Sequence, residues 1–202
     1  MKLTIRNVPV EISFTLVCIA AVCIVLNIFQ GFLWCALAVV IHESGHLCAM
    51  LLCKSAPERV RISAFEIKLF DPKRALRDEK QNIFIIFFGP MFNFICFIPF
   101  YLLYLLGNDA LLPFAVSNLS VGLFNSLPVM SLDGGQLIFI LLRRRLGLGK
   151  AEKAVDIITF ITIFPLAALG FAVLLSTKYN FSLLFVCAYL TAALVTRGGR
   201  YI

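Results

Sequence analysis

The chain has 202 residues, is 61% hydrophobic with a mean hydropathy of +0.96, and carries a formal net charge of +7. Soluble domains are only ~45–50% apolar, so an ordinary water-soluble fold is excluded. The length suits one domain, and no Ser-, Gly- or Pro-rich linker or internal repeat divides it, so residues 1–202 read as a single membrane domain.

Six apolar segments are predicted, at about Ile12–Phe29, Phe32–Cys53, Ile83–Leu106, Ala110–Leu142, Ala154–Leu175 and Phe181–Val195. The first follows Lys2 and Arg6 but exceeds the ~7–15 residues of a signal-peptide core, and no A-x-A site directly follows it. It reads as a retained span. The second contains His42-Glu43-Ser44-Gly45-His46, its only charged interruption and the only two histidines in the protein. On a helix, residues four apart share a face, so both imidazoles can bind one metal ion while Glu43 acts on a water beside it. An ionisable group at membrane depth is a functional hypothesis by default.

Between the second and third segments, Val60, Ile62 and Ala64 alternate with polar residues, and Phe65, Ile67 and Leu69 continue in the opposite phase. That pattern predicts a short β-hairpin-like loop whose edge pairs with an extended substrate. The third segment carries Gly89-Pro90-Met91-Phe92-Asn93. Gly89-Pro90 reads as a kink. Asn93 reads either as a hydrogen bond between helices or as a donor to a substrate carbonyl or oxyanion.

The fourth segment, at 33 residues, is too long for one straight crossing. It holds Asn125-Ser126-Leu127-Pro128 and Leu132-Asp133-Gly134-Gly135, with Asp133 its only ionisable residue. Pro128 removes a helical donor and the glycines permit irregular backbone, so a broken fourth span is predicted. Asn125 carries the same two readings as Asn93. A catalytic zinc takes three protein ligands and a water, and with both histidines used the third must be Asp, Glu or Cys. Depth favours Asp133. Counted from the basic ends of their segments, His42, His46, Asn93 and Asp133 all lie roughly 10–16 Å deep. The seven cysteines are scattered without CxxC spacing, which excludes a zinc ribbon or a disulfide framework.

Seventeen of the 18 Lys and Arg residues fall on one side of this layout, with Lys178 alone on the other. Both termini and both basic loops are therefore assigned to the cytoplasm, with the metal site toward the cytoplasmic half of the bilayer. Trp34, Tyr101, Tyr104 and Tyr179 fall near the outer ends. The charge is topological, with Arg143–Arg145 placed to meet anionic lipid, and nucleic acid is excluded as a partner. The predicted fold class is an all-α polytopic membrane protein with about six transmembrane helices, a short cytoplasmic hairpin-like loop and a broken fourth span.

Together, HESGH at 42–46, GPxxN at 89–93 and N-x-x-P-x-x-x-L-D-G at 125–134 resemble the site-2 protease family of intramembrane zinc metalloproteases. The six-span layout resembles the bacterial branch typified by the sporulation protease that releases a membrane-tethered sigma factor. The resemblance implies one Zn2+ per chain on His42, His46 and Asp133, with Glu43 as catalytic acid/base. It implies hydrolysis within or near the transmembrane segment of a single-pass or membrane-tethered protein, such as a pro-sigma or anti-sigma factor. A regulatory membrane protein is a further partner, and a bacterial cell membrane the setting. Ser131 departs from the pattern, since many members have a second proline there, and no room remains for a PDZ or CBS domain. Two other readings stand beside this one: a non-catalytic scaffold derived from the protease, and a CaaX-type membrane metallopeptidase with a Glu as third ligand.

Overall fold

A computed structural model describes residues 2–5, 8–62, 67–71, 74–177, 184, 186–188 and 190–192, which are mostly helical. Ala64, Phe65, Lys178, Tyr179, Arg197, Arg200 and most of the predicted sixth segment lie outside the described residues.

The N-terminal residues form strands before any helix begins. Val8, Val10 and Ile12 alternate with Pro9 and Glu11, a period-two pattern that suits a strand. Strand β2 (Val8–Ile12) pairs antiparallel with β1 (Lys2–Ile5) and parallel with β3 (Arg59–Ile62), which pairs antiparallel with β4 (Ile67–Phe70). The four form one sheet in the order β1-β2-β3-β4. Glu11 stands opposite Arg61, and their side chains pair at 3.5 Å. Strands β1 and β2 are an addition to the expected helical fold, which foresaw strand pairing only in the loop that holds β3 and β4. The signal at Val8–Ile12 runs into the apolar segment behind it, and its pairing with β3 is a long-range contact that no local pattern reveals.

Ser13 caps helix α1 (Phe14–Val25), its hydroxyl accepting from the Thr15 N–H at 3.4 Å. Twelve residues reach only ~18 Å, well short of a ~30 Å hydrocarbon core. The expected first span at Ile12–Phe29 therefore contains a shorter helix. It ends at Val25, and Asn27, with a φ of 56°, lies in the turn that leads into α2 (Phe29–Leu52). Helices α2, α3 (Glu79–Leu105) and α6 (Leu148–Thr177) are, among the described residues, the three long and apolar enough to cross a membrane. In the long fourth segment, α4 (Leu112–Asn125) stops before Pro128 and α5 (Asp133–Leu146) starts at the aspartate.

The chain divides into two compact units, Met1–Leu123 and Phe124–Ile202. In the first, α2 packs along α3, and Ala49, Met50 and Ile85 form a core bordered by Cys53 and Phe88. Just beyond α2, Ser55 is buried beneath Arg77. Arg77 Nη1 donates to Ser55 Oγ at 2.7 Å, Nε donates to Asn82 Oδ1 at 3.1 Å, and Nη2 pairs with the Asp71 carboxylate. One guanidinium thus joins the end of α2, the loop leaving β4 and the first turn of α3.

In the second unit α5 packs on α6, around a core of Val129, Leu132, Ile163, Cys187 and Leu190. Several amides of the irregular stretch between Asn125 and Asp133 are met. Val129 N–H donates to Leu127 O and Leu132 N–H to Val129 O, each at 2.8 Å, and Met130 N–H donates to the fully buried Thr159 hydroxyl at 3.1 Å. Non-helical backbone is stable in an apolar setting only when its donors are met in this way.

Candidate metal centre

Helix α2 places His42 and His46 one turn apart, and α3 decides how their rings are turned. His46 Nδ1 lies 2.8 Å from the backbone oxygen of Ile85. A carbonyl oxygen only accepts, so this nitrogen carries a proton, and in the neutral ring Nε2 is the one left to accept. His42 Nδ1 lies 2.8 Å from Asn93 Oδ1, with the same consequence. The two Nε2 atoms are 3.2 Å apart. Two imidazoles bound tetrahedrally to one zinc at ~2.0–2.1 Å would hold their nitrogens about 3.3–3.4 Å apart. The donor pair therefore fits a metal ion, with each ring fixed by a second partner behind it, as ligating histidines usually are.

Close approach of α2 and α3 makes this geometry attainable. Gly45 faces the Phe88 backbone, where a Cβ would overlap the carbonyl. Gly89 faces the imidazoles themselves: a Cβ there would meet Nε2 and Cε1 of His46 and Cε1 of His42. The Gly89-Pro90 pair, expected as a kink, thus has a second purpose. Its glycine clears the space that the rings occupy.

Asn93 is completely buried, and both ends of its amide are engaged. Oδ1 accepts from His42, while Nδ2 donates to Ala38 O at 2.9 Å and to Asn118 Oδ1 at 3.0 Å. Of its two expected readings, these bonds have the form of the one between helices. Asn118, on α4, is also completely buried and donates through Nδ2 to Phe114 O at 3.0 Å. Sequence reasoning passed over it, although an amide inside an apolar helix was the available signal. Glu43 is half-buried on α2, directly after His42.

In the second unit, Asp133 is the first residue of α5 and 9% exposed. Behind it, Gly134 and Gly135 lie directly against the carbonyls of Ser126, Leu127 and Val129, where any Cβ would collide. The two glycines let the start of α5, and Asp133 with it, seat directly on the irregular stretch. Asn125 ends α4 and is half-buried.

A His-Glu-x-x-His helix whose imidazoles are both held by a second acceptor resembles the metal-binding helices of metallopeptidases. Comparison with known proteins points the same way. Peptidase family M50 matches residues 107–169, which include the Asn125–Gly135 signature. The fold is similar to that of the site-2 protease from Methanocaldococcus jannaschii, with a TM-score of 0.72 and 22% identity over 97% of this chain and 94% of that one. No match was found among curated proteins. The resemblance to the site-2 protease family thus extends from three short motifs to a matched family and a shared fold.

Proposed function

We propose that this protein is an intramembrane zinc metalloprotease, one domain over residues 1–202, that cleaves within or near the transmembrane segment of a membrane-tethered protein. The observation that carries the reading is the His42–His46 pair, with both Nδ1 atoms committed to acceptors and the Nε2 atoms 3.2 Å apart. Asp133 supplies the third ligand. Two imidazoles with a carboxylate suit zinc. When bound, the ion would lower the pKa of water toward ~7 and polarise the scissile carbonyl. Glu43 accepts the proton of the attacking water and delivers it to the leaving amine. Asn125, at the end of α4, would donate to the peptide carbonyl. Asn93 acts behind His42.

A substrate helix hides its carbonyls in its own hydrogen bonds and must unwind before attack. The outer edge of β4 offers an extended partner for the unwound segment. Ile67→Pro should then lower cleavage while zinc content is unchanged, as read by product formation and metal analysis of the same preparation. Normal cleavage would remove the edge from the path. Six spans, cytoplasmic termini and a site toward the cytoplasmic half of a bacterial membrane complete the reading. A pro-sigma or anti-sigma factor is the substrate type it favours.

The test is cleavage of a panel of tagged single-pass membrane proteins, co-expressed with the wild-type chain or with Glu43→Gln. Metal analysis of both purified proteins accompanies it. Glu43→Gln should lower cleavage by about 10²–10⁴-fold, the usual contribution of a general acid/base, with zinc still near one per chain. Zinc bound with no cleavage of any substrate would favour a scaffold. No zinc in the wild type would refute the proposal.

A further inference from the structure

The amide of Asn93 has a single workable orientation, and Asn118 enforces it. Asn118 Nδ2 donates to the Phe114 backbone oxygen, which can only accept, so Asn118 must turn Oδ1 toward Asn93. Asn93 must then turn Nδ2 toward Asn118 Oδ1 and Ala38 O, two acceptors served by its two hydrogens. That leaves Asn93 Oδ1 facing His42, and an oxygen there requires the proton on Nδ1. Reversing either amide would set oxygen against oxygen inside a fully buried cluster, where an unmet donor or acceptor costs about 1–3 kcal/mol. His46 needs no such chain, because a backbone carbonyl fixes it directly.

We propose that Asn118 is a positioning residue for the metal centre: through Asn93 it sets the tautomer of His42, so that Nε2 is the nitrogen presented to the ion. Phe114 O, Asn118, Asn93 and His42 form one directional chain of hydrogen bonds running from α4 through α3 to α2. The relay adds to the proposed function and rests on that reading for its purpose, but the tautomer it enforces exists with or without the metal.

The experiment uses the full chain in detergent micelles, labelled with 15N only at its two imidazoles. The nitrogen shifts of the metal-free protein report which atom of each ring carries the proton, and chelator competition gives the zinc affinity. In the wild type both rings should show a protonated Nδ1. In Asn118→Leu the His42 ring should become a mixture of tautomers while His46 is unchanged, and zinc affinity should fall about tenfold, at the lower end of losses for partners behind metal ligands. Asn118→Asp should restore both readouts. Its buried carboxyl, when neutral, can still donate to Phe114 O and accept from Asn93.

A single Nδ1–H tautomer in Asn118→Leu with unchanged zinc affinity would overturn the proposal and reduce Asn118 to a contact between helices. If Asn118→Leu loses its helicity, Asn118→Ala takes its place with the same expected shifts. A wild type that binds no zinc but holds both rings as Nδ1–H would sink the protease reading and leave the relay supported. A wild type that binds zinc while His42 is already mixed would sink the relay alone.

Discussion

Gly89→Ala should lower zinc affinity by on the order of a hundredfold, because the added methyl group competes with the imidazoles for the same space. The new atom would overlap Nε2 and Cε1 of His46 and crowd Cε1 of His42. Two relaxations could relieve it, and both are obstructed. Separating α3 from α2 would open the contact at Gly45 and Phe88 and expose the core around Ala49, Met50 and Ile85. Rotating His46 would break its bond to Ile85 O, leaving a buried polar group without its partner. The ring must yield in part, and overpacking of this kind adds a stability cost of about 1–3 kcal/mol. Chelator competition on the purified protein measures the effect. Gly31→Ala is the control, since a Cβ there meets nothing within 4 Å. Wild-type affinity in Gly89→Ala would mean that the helices separate more easily than their packing implies.

Arg77→Met should destabilise the protein by about 3–5 kcal/mol, the usual cost of removing one partner from a buried ion pair. Arg77 and Asp71 expose only 7% and 11% of their side chains. Without the guanidinium, the Asp71 carboxylate is left mostly buried with, among the described residues, only the Ser55 hydroxyl near it, and Ser55 Oγ and Asn82 Oδ1 each lose a donor. Thermal unfolding in detergent would show the loss. Adding Asp71→Leu to Arg77→Met should recover much of it, because an apolar pair of similar volume leaves no stranded charge. A single-variant loss below ~1 kcal/mol would show that water enters the clasp. The location gives the clasp its importance. It ties the end of the histidine-bearing helix to the loop behind β4 and the first turn of α3.

Parts of this protein were legible because they depend on local geometry. The spacing of His42 and His46 follows from 3.6 residues per turn, and Pro128 with Gly134-Gly135 announced the interruption between α4 and α5. The apolar runs that became α2, α3 and α6 were long enough to read directly. The sheet was not legible in this way. Alternation marked β3 and β4, but β2 reaches across the whole of α1 and α2 to pair with β3, and its residues merged with the apolar segment that follows. Asn118 was passed over for a related reason: an amide in a span signals a partner without naming it.

The amino-acid sequence by itself determined that two imidazoles share one face of a membrane-type helix with a carboxylate beside them, since spacing along a helix is a one-dimensional property. Tertiary structure decided which nitrogen each ring presents. The Nδ1 partners, Ile85 O and Asn93 Oδ1, come from α3, and the amide that orients Asn93 comes from α4. It also decided the need for a glycine at 89, because only the packing of α3 on α2 brings that backbone against the rings. Contacts between helices carry no periodic trace in the chain, so these choices became visible only in the fold.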